Sequence, residues 1–505
     1  MNASGVRAWS IMALGGVLSG CLVGPNYQRP AVPVPAQYRE LAGWTAARPA
    51  DATPKGAWWT AFHDPLLDEL EPLVAVSNQT VRQDYANYQQ AVAEVRVARS
   101  ELFPTFGITG TASKSGGVVP STSSTGVGVS SGHASAVITA GSLEGTASWT
   151  PDLWGQVRRL IEENTATAEA DEATLANATL SEQTLLATTV IELRLADANI
   201  DLQQRTVAAY RDALHVTENQ GTAGITAAPP SAVITARVAL ETAEAALVGL
   251  GVARAQYAHA IGVLVGKNPE ALDIPHSTLL PTLPTVPAGV PSTLLQRRPD
   301  IAAAERTMAA QNATIGIAIA AYYPTLSLSA AAGFSQSPLE GLLHAANHVW
   351  SLGATGTETV LDFGARHGEV LAAKAAYEGA VASYRQTVLN AFEDVENDLS
   401  GLRILADQAK ALDVAVRDAI RGTQIALAEF EAGTVDYTTV ATAQETQLSD
   451  QQSALSVELN RLLDAVSLIG DLGGGWSQSE LHDPLHPKAL ANVSHRGSTA
   501  VMPGE

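Results

Sequence analysis

Residues 98–106 read ARSELFPTF and residues 318–326 read AIAAYYPTL, two matching stretches 220 positions apart (98 to 318). In each, a glycine-poor helical stretch runs into a proline, Pro104 or Pro324. Proline removes a helical N–H and pushes the preceding residue towards extended backbone, so the helix must end there. Beyond each proline the chain alternates polar and apolar residues, and an Ala-rich run of about 65 residues then has the composition of continuous helix. Helix, strands and a very long helix, present twice, read as a duplicated elongated fold and as a conduit rather than a catalyst.

Thr325 to Phe334 places Leu326, Leu328, Ala330, Ala332 and Phe334 on one face and mainly Ser and Thr on the other. After Pro104, Phe106 and Ile108 oppose Thr105, Thr109 and Thr111. Val137, Leu143, Ala147 and Trp149 likewise oppose Ser142, Glu144, Thr146 and Ser148. Trp350 to Val360 alternates less cleanly, because Glu358 falls on the apolar side. Apolar outside and polar inside is the transmembrane barrel pattern, although a soluble sandwich alternates in the same way. About 9 to 11 tilted residues cross a bilayer, so the runs are long enough. Four strands cannot enclose a channel, whereas three chains would supply twelve. The Ser/Gly/Val-rich stretch 114–136 and the shorter 335–349 are expected to be surface loops. His344 and His348 in the latter could share a metal only if that loop were helical, and no third ligand is in view.

In the first long helix, Leu186, Leu193, Ile200, Val207 and Leu214 recur every seven residues, and Leu195, Leu202, Ala209 and Val216 form a second, nearly opposite series. Two seams imply neighbours on both flanks, as for a stave in a cylinder. The second helix carries Val381, Val388, Val395, Leu402, Ala409, Val416 and Phe430 in one broad face. At 1.5 Å per residue each helix reaches about 100 Å. The first turns at residues 221–225 and the second at 432–436, both around glycine, and each is followed by a shorter return helix.

Acidic side chains outnumber basic ones by 51 to 30, for a net charge of −21, which argues against a nucleic-acid partner. Arg7, the apolar run Ile11 to Leu18, and Leu18-Ser19-Gly20-Cys21 have the order of an export signal, too short to span a bilayer. Leu-Ser-Gly-Cys resembles a bacterial lipobox, which implies a lipidated Cys21. Cys21 is the sole cysteine, so disulfides and thiol metal sites are excluded. No later run approaches 18 apolar residues, so a membrane crossing would have to use strands.

Several segments resemble the outer membrane factor family, the TolC-like channels, and within it the lipoprotein branch serving resistance-nodulation-division pumps. They are Cys21 to Tyr27 with Pro30, Trp58-Trp59-Thr60-Ala61-Phe62-His63-Asp64-Pro65, Leu295-Gln296-Arg297-Arg298-Pro299-Asp300-Ile301 with Glu305, and Phe430 to Gln444. The resemblance implies a mainly α protein with a membrane β part, trimeric, whose twelve-stranded β-barrel continues into a twelve-helix periplasmic α-barrel. The expected segments are a signal peptide (1–20), a lipidated arm (21–65), a first repeat (66–290), a second repeat (291–472) and a tail (473–505). Within the first repeat, strands are expected at about 103–113 and 137–150, a long helix at 155–219 and a return helix at 229–265. The second repeat should hold strands at about 323–334 and 350–362, a long helix at 365–431 and a return helix at 438–470.

The resemblance further implies a periplasmic adaptor meeting the hairpin tips, at Gly224, Ile225, Gly433, Thr434, Val435 and Tyr437, and an inner membrane pump behind it. Relatives carry an acidic ring at the closed end of the tunnel, but the matching position here is Thr442, with Thr439 also uncharged and Asp436 the nearest carboxylate. These three are the candidate constriction. Pro229-Pro230 opens the first return helix, where proline is tolerated in the first turn. Arg297, Arg298 and Asp300 read as an exposed ion-paired helix start of little energetic weight. No nucleophile motif, HExxH, phosphate loop or paired-carboxylate site is present in the sequence, so no catalytic residue, cofactor or metal is expected. The leading expectation is a passive small-molecule efflux duct in the outer membrane of a Gram-negative bacterium. Ducts for type I protein secretion or metal ions are its nearest alternatives, and a non-conducting trimeric coiled coil is a more distant one.

Overall fold

The computed structural model describes residues 22–32, 34, 35, 38–40, 56–125, 128–222, 229–277, 279–284, 294–482 and 484. Cys21 and the export signal therefore lie outside the described residues, as do Gly224 and Ile225. Eleven main elements follow one another: α1 (Pro65–Ser77), α2 (Gln79–Ser100), β1 (Thr105–Thr125), β2 (Gly128–Trp149), α3 (Gln156–Thr222), α4 (Pro230–Leu264), α5 (Pro299–Ala320), β3 (Thr325–Gln336), β4 (His348–Thr357), α6 (Ala365–Glu431) and α7 (Tyr437–Asp471). The chain forms two compact units, each drawing on both sequence repeats rather than on one.

The first unit takes the arm up to Arg29, Ala91–Ala168 and Thr307–Ala380. Its centre is a four-stranded antiparallel sheet in the order β1-β2-β3-β4. Directly opposed residues share a face, so the register tests the alternation read from sequence. Phe106 opposes Ala147, Ala147 opposes Ala330, and Ala330 opposes Leu352. Two rows on, Leu143, Phe334 and His348 line up, and one row in the other direction Trp149 opposes Leu328. One face is thus apolar across all four strands. On the other, Thr105 and Ser148 hydroxyls meet at 2.9 Å and those of Thr111 and Ser142 at 2.8 Å. The proline corners are tied down by indoles: Trp149 Nε1 donates to Leu102 O at 3.1 Å and Trp154 Nε1 to Pro324 O at 2.8 Å.

Two expectations need correction. Residues 114–136 are not a loop, because β1 and β2 stay paired residue by residue as far as Thr125 and Gly128. A long irregular loop would leave its N–H and C=O groups to water, and the hairpin pairs them instead. The last strand ends at Thr357 rather than at 362, so Glu358 never breaks the pattern; it pairs with Arg366 at 3.0 Å. His344 and His348 flank a one-turn 3-10 helix rather than sharing a helical face, and His348 packs edge-on against Phe334 at 6.0 Å.

The second unit takes Pro30–Gln90, Glu169–Arg306 and Val381 onwards. Its main core joins Trp58, Trp59, Phe62, Leu67 and Leu70 to Leu186 and Leu193 of α3, Ile261 of α4, Val395 and Leu399 of α6, and Leu462 and Leu468 of α7. Each such fully buried side chain contributes about 1.5–3 kcal/mol relative to an exposed one. Along the first seam of α3, Leu186, Leu193 and Val207 are buried and Ile200 and Leu214 half-buried. Of the second series only Leu202 is buried, and Ala209 is exposed. No described helix is long and apolar enough to cross a membrane.

Asp64 links this core to α1. Its carboxylate caps Leu66 N at 2.8 Å and receives Arg194 Nε at 2.8 Å and Nη2 at 3.1 Å, with both side chains buried. Removing one partner leaves the other charged and dry, which costs far more than the pair itself contributes. Asp64→Ala should destabilise the protein by about 3–5 kcal/mol. In a thermal-unfolding cycle with Arg194→Met, the double variant should recover much of that loss.

Candidate functional site: the hairpin tip and its buried charges

The α6–α7 turn is closed locally. Gly433 adopts φ 72°, a left-handed conformation that glycine reaches without strain. Its N–H reaches Phe430 O at 2.9 Å, while Thr434 donates both its N–H (2.9 Å) and its hydroxyl (2.8 Å) to Glu429 O. Asp436 is the N-cap of α7 through its carbonyl, which accepts from Thr439 N at 3.0 Å; its side chain makes no capping bond.

Beneath this turn lies a small aromatic core. Phe430 and Tyr437 meet edge to face at 5.7 Å and are both fully buried, with Ala426 and Val440 beside them. The other hairpin supplies Ala213, Ala232 and Ala236 to the same cluster. Gln220, near the end of α3, donates from Nε2 to Phe430 O at 3.0 Å. The two hairpin tips are therefore fastened together by one aromatic pair and one side-chain amide. Tyr437 belongs to that fastening, with its ring fully buried within the chain. Burial is the main cause that pushes its hydroxyl up to about 12, with Tyr210 and Glu445 adding to it.

Thr439 and Thr442 come together with Thr438, Thr446, Thr423, Ala419, Gly422 and Ala443 around an open groove of about 550 Å³ between α6 and α7. No lining residue is charged. Three of the five hydroxyls are bonded to backbone: Thr442 donates to Thr438 O (2.9 Å), Thr446 to Thr442 O (2.9 Å) and Thr423 to Ala443 O (3.0 Å). Methyl and hydroxyl groups are the groove's chemistry. Asp436 lies outside the lining. Sequence reading missed Thr438 and Thr446, although the i, i+4 spacing of 438, 442 and 446 was the available signal.

A matching profile of the outer membrane efflux protein family covers residues 72–267 and 290–474. The chain belongs to that family. Its relatives include the solvent efflux pump outer membrane protein SrpC of Pseudomonas putida, 31% identical over 92% of this chain and 97% of that one. The cation efflux system protein CusC of Escherichia coli is 27% identical over 91% and 97%. The outer-membrane channel OprN superposes with a TM-score of 0.81 at 28% identity, covering 90% of this chain and all of the other. The Campylobacter jejuni channel CmeC shares the fold at TM-score 0.82 and 21% identity. This family member is accordingly an outer-membrane channel subunit of an efflux pump.

The RRPDI segment of this efflux protein is more buried than expected. Arg298 is largely enclosed and donates to Asp300 (2.8 and 3.1 Å) and Asp471 (3.1 Å), with Asp394 at 3.6 Å. Asp300 Oδ1 also accepts from Ile301 N at 2.8 Å at the start of α5. Asp398 lies beside Asp471, with Asp464 and Asp394 near it. Burial, then the neighbouring Asp471, raises the Asp398 carboxyl well above the usual range, and burial raises Asp464 and Asp471. A raised carboxyl pKa means that the folded state holds a proton the unfolded state has released. Stability therefore falls as pH climbs above the ordinary carboxylate range.

Asp398→Asn should raise the thermal midpoint at pH 8 and leave it nearly unchanged at pH 4, where the native carboxyl is already neutral. At the tip, Phe430→Ala should cost about 3–5 kcal/mol. Tyr437→Phe should be neutral or slightly stabilising, since the buried hydroxyl makes no hydrogen bond within the chain. Thermal unfolding of the purified channel separates the two outcomes.

Proposed function

We propose that three copies of this chain assemble into a passive duct that carries small toxic molecules from the periplasm to the exterior. The observation that carries this reading is the sheet. Its apolar face is exposed at Phe106 (81%), Ile108 (83%) and Leu352 (76%), and β1 and β4 are both edge strands. An apolar face that broad suits lipid, and open edges inside lipid must be paired by other strands. Three sheets of four supply the twelve strands of a barrel with an aqueous bore, and the partly uncovered second seam of α3 suits a neighbouring helix of a twelve-helix periplasmic tunnel. In this reading residues 66–290 and 291–472 are two repeats of one efflux unit.

Acylation of Cys21 would add a lipid anchor to the barrel. A periplasmic adaptor would meet Gly224, Ile225, Gly433, Thr434 and Val435, and join the duct to an inner membrane pump that supplies the energy. Asp436, Thr439 and Thr442 would surround the narrowest part, which would then be lined mainly by hydroxyl and methyl groups. A neutral aperture of that kind favours uncharged or weakly charged cargo such as solvents and antibiotics. SrpC is a solvent channel by name, and the antibiotic efflux pump outer membrane protein ArpC of Pseudomonas putida is 29% identical over 91% of this chain. CusC is named for cations, so metal ions are the second reading.

Deleting the gene should lower tolerance to toluene-like solvents and to several antibiotics, with tolerance restored by the wild-type copy. Sensitivity confined to metal salts would favour the cation reading. Loss of a secreted protein with all tolerances unchanged would overturn both.

A further inference from the structure

The N-terminal arm is held in a manner that its sequence does not announce. Arg159, in the first turn of α3, is 1% exposed, and its guanidinium is turned onto the arm. Nε donates to Val23 O at 3.0 Å, and Nη2 donates to Gly24 O at 3.1 Å and to Asn26 Oδ1 at 3.0 Å. Nη1 pairs with Glu162 at 2.6 Å. From α5, the buried Asn312 donates Nδ2 to Pro25 O at 3.1 Å. The arm itself donates Val23 N to Trp154 O at 3.2 Å. Three successive arm carbonyls are thus read by two buried side chains.

Two glycines make room for this. Gly24 has φ 89°, and a Cβ there would lie 2.5 Å from Gly316 Cα; a Cβ on Gly316 would lie 2.8 Å from the Arg159 side chain. Arm backbone and α5 backbone therefore cross in direct contact, with the arginine filling the remaining space. Tyr27 then packs on Ala166, Ala309 and Ala310.

We propose that Arg159 is a positioning residue whose buried guanidinium latches the arm Leu22–Tyr27 into a groove between α3 and α5. The latch fixes the point where the lipid-bearing residue leaves the protein. Leu22 sits against Gly155, between the end of β2 and the start of α3, and Cys21 is one peptide bond before it. The arm thus stays seated whether or not it carries lipid, and the acyl chains are delivered at the strand-to-helix junction. Only this consequence for the lipid rests on the proposed acylation of Cys21; the latch itself does not.

The test is chymotrypsin cleavage after Tyr27 in the purified full-length channel, followed by intact mass. Cleavage requires the arm to leave its groove, so the rate follows the detached population. Losing several charge-assisted hydrogen bonds should make Arg159→Gln at least about tenfold faster than wild type. Arg159→Lys should be nearly as fast, because an ammonium cannot reach the same set of acceptors. Gly24→Ala, which acts from the arm and leaves both helices intact, should match them. Arg158→Gln, an equal charge change at a residue paired with Asp152, should stay near the wild-type rate, as should a Cys21→Ser chain exported by an ordinary signal peptide. The inference is overturned if Arg159→Gln cleaves at the wild-type rate, if Gly24→Ala does, if Arg158→Gln speeds cleavage as much, or if Cys21→Ser alone frees the arm. The intact mass of the Arg159→Gln chain reads the acyl group separately, so an absent lipid and an absent latch are distinguishable.

Discussion

A backbone amide in the hydrocarbon of a membrane has no water to bond to, and leaving it unpaired costs several kcal/mol. In this chain β2 and β3 are paired on both sides, whereas β1 and β4 each present a free row of donors and acceptors. The sheet cannot close on itself with four strands, yet its apolar face is built for lipid. Those two facts impose the rest: more copies of the chain, a fixed strand number, and helices with apolar seams that one chain only partly covers. Duplication answers the same constraint economically, since each repeat contributes one hairpin and one long helix with its return helix.

Charge is distributed with a different logic. The chain carries −21 overall, but the groove at the α6–α7 tip has no charged lining residue, and its Thr423, Thr442 and Thr446 hydroxyls are bonded to backbone. Asp300, Asp394 and Asp471 are gathered instead around Arg298, and burial raises the carboxyls of Asp471 and of the neighbouring Asp398. That arrangement ties the second unit's stability to pH without placing a titrating group in the groove. Relatives named for solvents and for cations align with nearly the whole of this chain.

Much of the fold was legible because its signals are periodic. The long helix predicted at 365–431 coincides with α6, and the return helices fall within a residue of their expected ends. The strand at 323–334 was readable because Leu326 to Phe334 alternate without interruption. The outer half of the first hairpin was not, because Ser, Thr and Gly fill both faces of 114–136 and adjacent Val118 and Val119 break the period. Its pairing is a property of two strands, which neither strand's composition declares.

The site divides in the same way. Gly433 could be read as a turn because a left-handed residue is a local requirement. The burial of Tyr437 could not, since it depends on Gln220 and on alanines of the other hairpin. Arg158 and Arg159 are adjacent and chemically identical in the sequence, yet one pairs with Asp152 while the other is sealed against the arm. The most direct test of the central claim is the mass of the particle extracted intact from the outer membrane, read by native mass spectrometry in mild detergent. Three chains per particle, enough for twelve strands, is the predicted result; a stable single chain in the membrane, or a closed particle with any other number of chains, would contradict it.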